Sequence, residues 1–334
     1  FDATHPYTVV RASTSVLWPT DAMLHTVEQM AEREGAELIQ LGHPLPAGLI
    51  GPRLRRRRGI PYVVFLGGAE VTLPGVVPGV NNLLRHVLGN AAMLLAVSDY
   101  TAAEARKQTG GRVPAEVLRP PLPVDDFVPA AGDEAVSLRE RFGIDGQVVV
   151  CVGRLVPRKG QDKLIEALAL LRSEFPRLHL VIIGEGRLAT GLYDRAQRLG
   201  VGERVHLTGP LADEAMKEWL RAADLFASPC RSRWGGLEVE GFGIVFAEAA
   251  LAGLPVIAGH SGGAPEAVSH GETGLVVDGR SAQRVAAALA AILRRTVDER
   301  RTMGAKGREL ALARHTPAVV GERYRDLLRR AAAR

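Results

Sequence analysis

Along this chain, short runs of apolar residues alternate with stretches in which apolar positions recur every three or four residues. Ala36–Leu41, Pro61–Leu66, Ala92–Val97 and Val113–Leu118 have the character of buried parallel strands. Asp21–Arg33, Pro46–Arg57, Val80–Gly89 and Thr101–Gln108, between them, carry the helical period. A further strand is predicted ahead of these, at Tyr7–Arg11. A second series follows, with strands at Gln147–Val152, Leu178–Ile183, Val205–Leu207, Leu225–Ala227, Pro255–Ala258 and Gly274–Val277. Its helices are predicted at Lys163–Arg172, Ala189–Leu199, Asp213–Ala222, Val245–Leu251 and Gln283–Arg294, with two more closing the chain.

Strict β–α alternation of this length predicts an α/β fold, with helices on both faces of parallel sheets. Between the two series, Arg119–Val128 is Pro-rich and the next residues to Gly146 are polar, the composition of a linker. The expected division is a first Rossmann-like domain at 1–128, a linker at 129–146, a second domain at 147–315 and a C-terminal helix in 316–334. Two such halves face each other across a cleft, and ligands bind at the carboxyl ends of the strands. No strand and Gly-rich turn open the first half before Tyr7. This predicts that one or two βα units belong ahead of Phe1.

Composition narrows the picture little. With 334 residues, 46% of them hydrophobic, the chain can build two cores and is too apolar for disorder. No apolar run approaches the roughly 18–20 residues of a membrane span, and no secretory signal is read at Phe1. Two cysteines, Cys151 and Cys230, make neither a disulfide framework nor a multi-cysteine metal site, which fits a reducing cytoplasm. The nine histidines lack metal-ligand spacing. The net charge of +5 allows an anionic partner such as a phosphate, a nucleic acid or a lipid surface, without settling which. Zinc-finger spacing and an RNP-type aromatic strand are both missing, so the sequence argues against nucleic acid.

Chemistry concentrates in the second half. Gly153-Arg154-Leu155-Val156-Pro157-Arg158-Lys159-Gly160 lies between a buried strand and a helix. There Arg154 and Lys159 are placed to meet a diphosphate beside backbone N–H groups; the plainer reading is a solvated basic loop. Glu240 and Glu248, separated by seven residues, flank Gly241-Phe242-Gly243-Ile244-Val245-Phe246-Ala247. Two carboxylates on a Gly-rich loop and the helix after it suit a polyhydroxylated ligand. An isolated pair with this spacing is usually a surface Glu and a helix-face Glu. Ser261-Gly262-Gly263-Ala264-Pro265-Glu266 and Gly184-Glu185-Gly186 also follow strands, and the N–H groups of the former are expected to face the same cleft. Cys230 beside the loop reads as structural. Arg53 and Arg55–Arg58 end a predicted helix, either complementing its dipole or meeting anionic lipid headgroups.

These motifs, in this order and spacing, resemble the retaining GT-B glycosyltransferases of family 4 over nearly the whole second half. More narrowly, Arg154–Asp162, Pro229–Val245, Val256–Glu266 and Thr273–Ser281 are similar to actinobacterial phosphatidylinositol-mannoside mannosyltransferases. Phe1–Thr4 and Leu122–Pro129 extend the likeness loosely into the first half. The resemblance implies transfer of mannose from GDP-mannose to phosphatidylinositol monomannoside, without a metal or other cofactor. It also implies peripheral attachment to an anionic membrane surface on the cytoplasmic side. Arg154 and Lys159 would bind the diphosphate, Glu248 the ribose and Glu240 the donor sugar. Gly153 and Gly184 would line the site, and the backbone of Gly243, Ile244, Val245 and Phe246 would meet sugar and phosphate. Pro210 and Leu211 would receive the base. Arg154, Lys159 and Glu240 are the expected catalytic residues.

The sequence departs from the family in one place. Where the family has His-Gly-x-Glu after a first-domain strand, this chain has Gly67-Gly68-Ala69-Glu70, and no His lies within fifteen residues of Gly67. Two other readings therefore stand beside the first: transfer from a UDP- or GDP-sugar to a soluble acceptor, and sugar-nucleotide binding without turnover.

Overall fold

The computed structural model describes residues 7–11, 16–72, 74–129 and 134–334, and these build two parallel sheets. In the first, β1 (Ile39–Leu41), β2 (Tyr62–Leu66), β3 (Met93–Ala96) and β4 (Ala115–Val117) lie in chain order. The second comprises β5 (Val148–Val152), β6 (His179–Ile183), β7 (Val205–Gly209), β8 (Leu225–Ser228), β9 (Val256–Gly259) and β10 (Gly274–Val277). Its order is β10-β9-β8-β5-β6-β7. From β5 the chain steps outward through β6 to β7, then returns to β8 and steps the other way. Connections diverge between β5 and β8, which opens a crevice at their carboxyl ends.

Some strands are shorter than their apolar runs, as where Ala36–Leu41 begins only at Ile39, whereas β7 and β8 run one or two residues past theirs. Three expectations need correction. Tyr7–Arg11 is not a strand: it joins neither sheet, and Tyr7 and Val10 are 61% and 55% exposed. Pro46–Arg57 divides into a 3₁₀ turn, Ala47–Leu49, and a helix, Ile50–Arg58, stopped by Gly59 at φ +72°. The supposed linker contains a helix, Glu134–Arg141, whose polar composition concealed it. Leu138 is buried in the second domain's core, and Arg139 donates to the Ala222 carbonyl at 2.6 Å and pairs with Asp224 at 3.0 Å. The segment belongs to the second domain. Phe1–Thr4 lies outside the described residues.

Alternate side chains of β5 enter opposite cores. Val148 and Val150 pack with Phe226, Phe246 and Trp219, whereas Val149 and Cys151 pack with Leu164, Leu168 and Leu289. A third core lies under the first sheet around Leu24, Tyr62, Leu84 and Leu94. The fourth is completed from the far end of the chain. The last helix, Pro317–Ala332, crosses back and places Val320, Leu327 and Ala331 against Val63, Met93 and Leu95 of the first sheet.

Candidate active site

The loop after β5 is shaped by glycine. Gly153, at φ +145°, has the stem of Lys159 lying across it, so that a Cβ there would meet Lys159 Cε at 3.4 Å. Gly184, after β6, is packed so closely that a Cβ would fall 2.3 Å from the Gly153 carbonyl oxygen. Pro157–Lys159 then forms a 3₁₀ turn, and Gly160, at φ +77°, starts the helix Gln161–Leu170. That turn directs Lys159 inward, where it is buried, and leaves Arg154 exposed.

Glu240 arrives from the β8 side of the crevice. Its Oε2 lies 2.7 Å from Lys159 Nζ and also accepts from Arg158. Burial alone would push this carboxyl up, but Lys159 and Arg158 more than offset it and hold it below the usual range. The carboxylate is therefore ionised and bound between two cations. Of the expected pair, then, the structure brings Lys159 to Glu240 but not Arg154; the second cation is Arg158. Its signal was present, a cation adjacent to Lys159 in the same loop.

The Ser261–Glu266 turn supports this strip. Glu240 N donates to Ser261 Oγ at 3.3 Å, and Gly263 N donates to the Glu240 carbonyl at 2.9 Å. The Gly263 N–H expected to face the cleft is thus engaged by backbone. Across the cleft, the first domain's Gly67-Gly68 turn abuts Gly241. A Cβ on Gly241 would fall 1.9 Å from the Gly67 carbonyl oxygen. Glu70 accepts from Gly67 N and, at 3.1 Å, from Gly68 N, which fixes the turn where the family carries its His.

The family model for glycosyl transferases group 1 matches residues 137–310, which includes every residue of this cluster outside the Gly67–Glu70 turn. The chain belongs to this glycosyltransferase family. It is 38% identical over 97% of its length to the GDP-mannose-dependent alpha-(1-6)-phosphatidylinositol monomannoside mannosyltransferase of Mycobacterium tuberculosis, covering 83% of that protein. To the GDP-mannose-dependent monoacylated alpha-(1-6)-phosphatidylinositol monomannoside mannosyltransferase of Corynebacterium glutamicum it is 34% identical, over 98% of this chain and 85% of that one. Among solved structures, Anabaena HepE in complex with UDP superposes with a TM-score of 0.81 at 23% identity, covering 92% of this chain and 82% of that one. Sucrose-phosphate synthase of Thermosynechococcus elongatus superposes with a TM-score of 0.75 at 24% identity, over 97% and 82%. The α/β architecture with two parallel sheets is that of the GT-B glycosyltransferases.

In this glycosyltransferase Gly243, at φ +78°, begins the helix Ile244–Leu251, and a Cβ there would meet the Phe246 ring at 2.5 Å. Phe246 is buried edge-on to Phe226, Ile244 is partly exposed at the helix start, and Val245 packs against the core. One turn further, Glu248 is set apart from the Glu240 cluster. Burial, with Asp213 nearby, pushes its carboxyl up to about 6, while Lys217 pulls the other way. Asp213 opens the helix after Pro210 and Leu211, so the second glutamate stands by the turn expected to receive the base. Pro210 is exposed, and Leu211 packs into the core.

The remaining candidate residues lie away from this cluster or have a structural setting of their own. Cys230 is fully buried, and its thiol is pushed up to about 12 by burial and by Glu240, which excludes a resting thiolate. Arg53 donates to the Pro19 carbonyl, Arg55 to that of Asn90, and Arg57 and Arg58 face Glu28 at 3.9 and 3.8 Å. Arg56 is exposed and, among the described residues, makes no ion pair. No helix among the described residues is long and apolar enough to cross a membrane, and none of their His, Cys, Asp and Glu side chains group as a metal site.

Proposed function

We propose that the protein transfers mannose from GDP-mannose to phosphatidylinositol monomannoside with retention of configuration, making the α-1,6 dimannoside. The observation that carries this reading is the identity of 34–38% across nearly the whole chain to enzymes named for that reaction. The site chemistry supports it. Lys159 and Arg158 already hold one anion, Glu240, and a donor diphosphate brings a more highly charged anion to the same cations. The bond from the anomeric carbon to the diphosphate breaks, and its electron pair leaves on the diphosphate oxygen. Lys159, Arg158 and the start of Ile244–Leu251 stabilise that charge in place of a metal. The acceptor hydroxyl attacks from the same face and gives its proton to the departing oxygen. Glu240, released from its cations, accepts hydrogen bonds from the sugar, and Glu248 from the ribose.

A lipid acceptor draws the enzyme to an anionic membrane surface, from the cytoplasmic side, where the exposed Arg56 adds attraction of about 1 kcal/mol. Transfer of labelled mannose from GDP-mannose into phosphatidylinositol monomannoside tests the reaction. GDP should raise the melting temperature more than UDP or ADP. Nucleotide binding without transfer to any lipid or soluble acceptor would replace this reading with that of a binding protein.

A further inference from the structure

The Ser261–Glu266 turn does more than support Glu240. It reaches across the cleft. Its last residue presents a carboxylate to the N-terminus of the first-domain helix Asp99–Thr109, accepting from Asp99 N and Tyr100 N at 2.8 Å each. These are two of the amides that a helix start leaves without intrahelical partners. The helix's own N-cap, Ser98, takes the Thr101 N–H at 3.1 Å. The cap is thus shared between domains, one residue from each side. Arg119 bridges Asp99 at 3.0 Å and Glu266 at 3.3 Å, and Arg314 donates to the Glu266 carbonyl at 2.9 Å.

The same contact continues into the Glu240 strip. Fully buried Ser98 donates its hydroxyl to the Gly241 carbonyl at 2.7 Å. A Cβ on Gly263 would fall 2.2 Å from that carbonyl oxygen and 2.7 Å from Ser98 Cβ, so the two domains meet here with no room between them. Thr72 adds a bond from the first domain to the Leu237 carbonyl at 3.0 Å.

We propose that Glu266 is a positioning residue that latches the two domains together by capping Asp99–Thr109 from across the cleft. It thereby sets Glu240 and Gly241 against the Gly67-Gly68 turn. It acts on the reaction through that strip and does not touch the nucleotide. The inference rests on the mannosyl-transfer reading for its kinetic arm only.

The test compares wild type, Glu266→Gln and Glu266→Asp in steady-state transfer, GDP binding and small-angle scattering. The amide in Glu266→Gln turns a donor toward one helix N–H and removes the charge. It should lower kcat at least tenfold, leave GDP affinity within twofold of wild type and enlarge the radius of gyration. Glu266→Asp, which keeps the charge, should recover a substantial part of kcat. Wild-type kcat and an unchanged radius in Glu266→Gln would overturn the latch. So would a loss of GDP affinity in proportion to kcat, which would make Glu266 a nucleotide ligand. If wild type transfers no mannose, the mannosyl-transfer reading fails and scattering alone decides the latch. If Glu266→Gln does not fold, Ser98→Ala, which deletes the hydroxyl bond to Gly241, is measured for the same expansion.

Discussion

Lys159 Nζ lies 2.7 Å from Glu240 Oε2, and both side chains are about nine-tenths buried. Such a pair is costly to break from one side, because the remaining charge loses its partner. Glu240→Gln should therefore destabilise the fold by about 3 kcal/mol in denaturant unfolding. The freed cations should bind GDP at least as tightly as in wild type, while kcat falls. A weakened GDP complex would mean that Glu240 itself holds the nucleotide.

The two candidate arginines of the β5 loop should separate cleanly. Lys159→Ala and Arg158→Ala should each cost about 10²–10³ in kcat, the range for loss of one preorganised donor to developing negative charge. Arg154→Ala, which removes an exposed side chain, should cost less than tenfold. Equal losses at Arg154 and Arg158 would restore Arg154 to the centre of the site.

Gly67 and Gly241 face each other across the cleft but should respond oppositely to a methyl group. A Cβ on Gly67 meets only the Glu70 carboxylate, at 3.4 Å, so Gly67→Ala should fold and bind GDP as wild type does. On Gly241 the same atom meets the Gly67 carbonyl at 1.9 Å, so Gly241→Ala should hold the domains apart and abolish most transfer while GDP binding persists. Scattering and titration read the two effects separately.

Glu248 predicts a pH signature. Its folded pKa, about 6, stands above the unfolded 4.5, so the native state binds the proton more tightly. The stability this contributes is complete below about pH 4.5 and is lost as pH rises through about 6. Glu248→Gln, permanently neutral, should then be more stable than wild type at pH 8 by about 1–2 kcal/mol. The difference should close toward pH 4.5. A gap independent of pH would show that burial does not disfavour the Glu248 carboxylate.

The sequence carried the strands and the site loops well, because each depends on local composition. Val148–Val152 and Leu180–Ile183 are short, continuous apolar runs closed by Gly153 and Gly184, the pattern of buried strands, and Gly153, Gly184 and Gly243 mark places where backbone or side chains press close. What the sequence hid depends on direction and partnership. Arg158 meets Glu240 from the 3₁₀ turn at Pro157–Lys159, whereas Arg154, ahead of that turn, stays exposed. Glu134–Arg141 is half charged and too short to announce a helical period, and it is held through Leu138 in the second domain's core and Arg139 on the Ala222 carbonyl. That Glu266 caps a helix 166 residues away is a fact of docking, with no local signature.

The last helix bears on how the molecule comes into being. Val320, Leu327 and Ala331 fill a core whose other walls, Val63 through Leu118, are made early in synthesis. At about 5–20 residues per second, roughly 10–40 seconds separate those walls from the helix that covers them. During that interval the nascent first sheet has one apolar face open while the second domain is being made beneath it. Of the two sheets, the one made earlier is thus finished later, and its half of the cleft is secure only once Pro317–Ala332 has been made.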